Sequence, residues 1–71
     1  MSAMSDYLSG IGFEDKGPYW KRDKVYIQLD EIVMRITVGK KHQDFPVDLV
    51  LAYPDQMDYR IQAVKEIADA G

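Results

Sequence analysis

The sequence predicts a small α+β domain: an antiparallel β-meander of three to five strands, a C-terminal amphipathic helix packed on one face, and a short N-terminal helix. Three observations carry this. Lys24–Val38 alternates apolar and polar residues in two consecutive stretches, the period of half-buried strands. Gly39-Lys40 follows directly, with glycine at the first central position of a type II′ hairpin turn. From Asp55 onward, apolar residues recur at the three-and-four spacing of a helix.

Taken in order, Met4 and Leu8 lie four apart on one face of a short helix. Ser2 or Ser5 would cap it and Gly10 would end it. Ile11–Phe13 leads into a first short strand. Asp15-Lys16-Gly17-Pro18 reads as a turn, because glycine supplies unusual φ values and proline does not continue a central strand. Tyr19–Lys21 is a second short extended piece, and Arg22-Asp23 a tight connection onward.

The central hairpin is the most informative stretch. With Asp30-Glu31 as a two-residue turn, Leu29 would face Ile32, Ile27 would face Met34 and Val25 would face Ile36. Both apolar rows then share one face. Glutamate disfavours positive φ, so a longer loop is the alternative. In the next hairpin Val38 faces Lys41, Thr37 faces His42, Arg35 faces Asp44 and Met34 faces Phe45. Pro46 ends that strand.

Residues 47–53 alternate like a strand, yet Pro46 could open a short helix capped by Asp44 or Phe45. Because Lys41–Phe45 already forms the returning strand, a short helical or irregular core-packed piece is the expectation. Asp55 then serves as the N-cap of a helix of about 15 residues. Met57, Ile61, Val64, Ile67 and Ala68 form its apolar stripe, while Arg60, Gln62, Lys65, Glu66 and Asp69 face water.

At 71 residues, with 46% hydrophobic and 30% charged residues, the chain reads as one domain, 1–71, near the lower size limit for a self-sufficient core. It has no cysteine, which excludes disulfides and thiol chemistry and fits a reducing compartment. The first dozen residues lack the basic start and apolar run of a signal peptide. No apolar run approaches the roughly 18 residues of a membrane span. A cytoplasmic location without membrane contact is therefore expected.

The net charge of −3 is unevenly spread. Residues 16–41 carry a balance of +4, whereas residues 1–15 and 42–71 are acidic. The basic middle contains Lys21, Arg22 and Lys24 in one cluster and Lys40 and Lys41 in another. The two-residue hairpin register would pair Lys24 with Thr37, Arg22 with Gly39 and Lys21 with Lys40, gathering both clusters at one ribbon end. Tyr19 and Trp20 would lie beside them. Lysines neutralising phosphate next to stacking rings are one route to nucleic acid. Lysines at ribbon ends equally serve to discourage edge-to-edge pairing, and the overall acidity opposes a polyanion.

Catalytic chemistry has little to work with. His42 is the single histidine, with Asp44 two residues on and Thr37 opposite. Two ligands do not make a metal site, and no phosphate-binding glycine motif occurs. No enzyme activity, cofactor or metal is expected. The five tyrosines and one tryptophan are many for this length, and Tyr and Trp lead interface hot spots. Trp20 is expected in the core. Tyr26, Val33 and Arg35 are expected on the sheet face away from the helix, open to a partner or covered by the N-terminal segment.

These features favour a non-enzymatic protein-binding module whose candidate contacts are Tyr19, Lys21, Arg22, Lys24, Tyr26, Val33, Arg35, Lys40 and Lys41. The alternative is nucleic-acid binding through the basic hairpin end. A homo-oligomer is compatible with either, a second copy covering the face opposite the helix. In size and acidity, though through no motif, the chain resembles the small accessory proteins of phages. That resemblance implies an inhibitor or adaptor that works by occupying a partner's surface.

Overall fold

A computed structural model describes residues 3–70 as five antiparallel strands under a single layer of helices. The elements run α1 (Ala3–Gly10), β1 (Glu14–Asp15), β2 (Trp20–Arg22), β3 (Val25–Leu29), β4 (Val33–Val38), β5 (Lys41–Pro46), α2 (Val47–Ala52), a 3₁₀ turn (Pro54–Gln56) and α3 (Met57–Ala70). The strands lie side by side in chain order, so every connection within the sheet is a local hairpin. None of the described helices is long and apolar enough to cross a membrane.

The alternation of β3 and β4 does what its period requires. Val25, Ile27, Met34 and Ile36 are buried on one face and meet Trp20 of β2. α3 crosses this face over β4 and β5, adding Met57, Ile61 and Val64. α1 and α2 close the remaining core with Met4, Leu8 and Val50, and Phe13 enters from the loop before β1. Trp20 is buried, as its position predicts.

The central hairpin departs from the two-residue turn. Leu29 pairs with Met34, Ile27 with Ile36 and Val25 with Val38, a shift of two residues. Among the described non-glycine residues only Asp23 has positive φ, so neither Asp30 nor Glu31 adopts the backbone a two-residue primed turn requires. The chain makes a longer loop instead. The Asp30 carboxylate accepts from the Glu31 N–H at 2.8 Å, and the Asp30 N–H donates to the Val33 carbonyl at 2.9 Å. Ile32 thereby leaves the core row and is 74% exposed.

Other boundaries move for equally local reasons. The connection before β3 is Asp23-Lys24, because Arg22 pairs with Val25 and Asp23 takes the φ of 54° that aspartate tolerates. Arg22 and Lys21 consequently belong to β2 and do not pair with Gly39 and Lys40. Ile11–Phe13 leads into the first short strand as expected, and that strand pairs Glu14 with Lys21 and Asp15 with Trp20. Ser5 lies inside α1 and so does not cap it, while Ser2 and Gly71 lie outside the described residues. Pro46, not Asp44 or Phe45, precedes α2 in extended conformation and acts as its N-cap residue without a side-chain bond. Asp55 falls in the 3₁₀ turn and α3 begins at Met57. The second hairpin matches its expected register residue for residue, with Gly39 at φ 62° in the turn.

Two arginines are structural: Arg60, expected in water, and Arg22, expected as a partner contact. Arg60 is 7% exposed and donates to the Tyr53 carbonyl at 3.1 Å, satisfying the backbone where α2 ends. Its long stem packs with the core while the guanidinium finds an acceptor. Arg22 lies over the Phe13 ring at 4.6 Å, donates to the Ile11 carbonyl at 2.7 Å and reaches Asp58 at 3.5 Å.

Deleting the side chain of Ile36 should cost about 2–5 kcal/mol in urea unfolding, whereas Ile32→Ala should stay within about 0.5 kcal/mol of wild type. Comparable losses at both positions would restore the two-residue turn. A second test uses Tyr7, whose hydroxyl donates to the Pro54 carbonyl. Partial burial, aided by Asp58 and Asp55 against Arg60 and Arg22, raises its pKa above the ordinary 10.0. A raised pKa means stability present below that ordinary value and lost as pH climbs through the folded-state value. Tyr7→Phe should lose about 1 kcal/mol at neutral pH, a gap that narrows in alkaline solution.

Candidate protein-binding face

The sheet surface opposite the helices is assembled by the same alternation that builds the core. Its longest row crosses all five strands: Glu14, Lys21, Tyr26, Thr37 and His42 stand opposite one another in sequence. Beside it run Gln28, Arg35 and Asp44, and then Val33 opposite Pro46. None of the three helices lies on this face, whose centre is occupied by β3 and β4.

Three candidate residues converge near one edge of the face. The Tyr19 and Tyr26 rings lie 5.4 Å apart between centroids at 58°, and the Lys21 ammonium sits 5.5 Å from the Tyr26 centroid. Tyr26 remains 36% exposed, so this cluster is a preorganised, amphipathic patch rather than a second core. Tyr26 stands opposite Thr37, not Arg35, because of the shifted hairpin register.

Arg35 and Val33 form the other half of the face. The Arg35 guanidinium holds Asp44 across the strands through contacts of 2.8 and 3.2 Å, a two-pronged geometry. With Gln28, Leu29, Asp30 and Val33 this pair lines a shallow hollow of about 280 Å³. The guanidinium's hydrogen bond holds the Asp44 carboxyl below its ordinary 3.8; desolvation opposes it, and the charges of Arg35 and His42 add smaller contributions in its favour. His42 stands opposite Thr37 on the same face, while the carboxylate nearest to it in sequence is engaged by Arg35.

The five basic residues of the two clusters separate. Lys21 lies over an aromatic ring, and Arg22 is tied into the helix side of the sheet. Lys24 in the β2–β3 turn, and Lys40 and Lys41 at the β4–β5 turn, share one end of the sheet. They are exposed, and no carboxylate pairs with them among the described residues.

The sequence reading did not single out Glu14, Gln28 and Thr37 as members of this face, although strand alternation marks them. It also missed a second exposed surface on the helix side of β5, where Phe45, Leu49, Tyr53, Tyr59 and Ala63 border an apolar groove of about 560 Å³. Tyr59, 77% exposed, is its outermost ring. That surface depends on how α2 and α3 are placed and has no local sequence signal.

Asp44 supplies a pH test with a defined sign. Its depressed pKa contributes stability above about pH 3.8 that is lost as pH falls through the folded-state value. The stability difference between wild type and Asp44→Asn should therefore shrink on acidification, and shrink with added salt at neutral pH. No family model matches this chain, and no curated protein or solved structure matches it significantly, so function is read from this geometry.

Proposed function

We propose that this chain is a non-enzymatic, cytoplasmic protein-binding module that acts by occupying a partner's surface, as an inhibitor or adaptor does. The observation that carries the reading is the uncovered sheet face with its Tyr19–Tyr26–Lys21 cluster. Aromatic side chains held in place lose little entropy on binding and supply most of the energy at protein interfaces. The charges of that face are mixed and largely held within the chain: Arg35 by Asp44, Glu14 by Lys16 at 3.0 Å, while the Lys21 ammonium lies over the Tyr26 ring. A matched face of this kind favours a protein surface over a polyphosphate, which rewards unneutralised cations. The side chain that could orient His42 for catalysis is committed to Arg35, which supports a binding role over a catalytic one.

Nucleic-acid binding is the second reading, carried by Lys24, Lys40 and Lys41 at one end of the sheet. These three lysines sit away from the tyrosine cluster's matched charges, and their contribution would be strongly salt-dependent.

A photo-crosslinking residue at position 28, between Tyr26 and Arg35 on the open face, should capture one stoichiometric protein from native extract. Tyr26→Glu should abolish the capture, while Tyr59→Glu on the helix side should leave it unchanged. Capture insensitive to Tyr26 would place the contact elsewhere. Loss of the adduct in nuclease-treated extract, together with loss in Lys40→Glu/Lys41→Glu, would favour the nucleic-acid reading.

A further inference from the structure

The sheet has two edges, and they are unequal. β1 is two residues long and carries Glu14 and Asp15, a short and charged edge that resists pairing. β5 is six residues long, has a neighbour only in β4, and is almost wholly exposed. Its outward backbone groups follow from the ladder. The Val47 N–H donates to the Ile32 carbonyl at 2.9 Å, which makes Val33–Pro46 a non-hydrogen-bonded pair. Alternation along the antiparallel ladder then turns the N–H and C=O groups of Lys41, Gln43 and Phe45 toward β4. Those of His42 and Asp44 point to the free edge.

We infer that this edge is the docking site for a second copy of the chain, β5 against β5, in a two-fold antiparallel pairing centred on Gln43. Only outward-facing residues can exchange hydrogen bonds across such an edge, which leaves three centres. Centring on His42 sets histidine against histidine, and centring on Asp44 sets carboxylate against carboxylate. Centring on Gln43 sets His42 opposite Asp44 of the other copy twice, with four backbone hydrogen bonds between them. Of the three, that register alone avoids like pairs: each Asp44 carboxylate keeps its Arg35 contacts and has acceptor capacity left for a ring N–H of the opposite His42.

The helix side of the same edge supplies apolar area. Phe45, Leu49, Tyr53 and Tyr59 border the groove beside β5, and the two-fold brings this groove against its own copy. The result is a ten-stranded sheet with all helices on one side and an uninterrupted open face on the other. Pro46, which has no N–H to donate, and the Gly39-Lys40 turn end the pairing on either side and hold it to one register. This contact uses surfaces separate from the tyrosine cluster and stands whether or not that cluster binds a protein.

Sedimentation equilibrium of the full chain, at concentrations up to about 1 mM, should give a reversible monomer–dimer equilibrium in the weak range suited to a small interface. His42→Glu sets a carboxylate against Asp44 of the opposite copy, twice per dimer, and should raise the dissociation constant by roughly tenfold or more. His42→Lys preserves the complementarity and should keep or tighten the dimer. Both changes fall on an exposed edge position, so circular dichroism and melting temperature should match wild type for each. A wild-type chain that stays monomeric throughout overturns the inference. So does a dimer that responds alike to both substitutions, or one that is lost in Tyr26→Glu and indifferent to His42→Glu.

Discussion

Everything in this fold depends on burying one face of the β3–β4 ribbon. Ile27, Met34 and Ile36 are fully enclosed, and each remaining element is placed by what it adds to their cover. Three helices are spent on the inner face, and the outer face of the sheet is left to solvent. The open surface lies on the strands whose other side forms the core. Side chains there inherit rigid backbone positions, which is what a binding face needs.

The outer face is furnished in a way that solvent alone does not require. Tyr19 and Tyr26 pack against each other with a lysine above, and Arg35 grips Asp44 across two strands. Ring contacts, cation–π attraction and a two-pronged ion pair each hold a long side chain in a defined place. The face is ordered before any partner arrives. The lysine turns at the sheet end are different in kind, exposed and without such partners among the described residues.

Most of this architecture was legible because strand alternation and glycine turns are local rules. Gly39 marked the register of β4 and β5, since its φ of 62° lies in the left-handed region that glycine enters without strain. Asp30-Glu31 misled because the loop is defined by conformations its residues avoid, and the ribbon slipped by two. An even slip keeps every side chain on its own face, so the core survived the error while individual partners changed. Ile32 was the exception, carried out of the strand by the longer loop. Arg22 and Arg60 were illegible for another reason: an arginine's stem and head have opposite preferences, and only the tertiary position of the Ile11 and Tyr53 carbonyls shows where the head goes. The open face could be named from alternation, whereas the groove beside β5 could not, because it is made by helices meeting a strand from different parts of the chain.

The central claim is that the sheet has one enclosed face and one free one. Paramagnetic relaxation by a soluble, uncharged gadolinium chelate, read at side-chain protons along β3 and β4, tests it most directly. Relaxation should alternate with a period of two, strong at Tyr26, Gln28 and Arg35 and weak at Ile27, Met34 and Ile36. Uniform protection of both sets in the isolated protein would mean that the outer face is already covered, and would contradict the account.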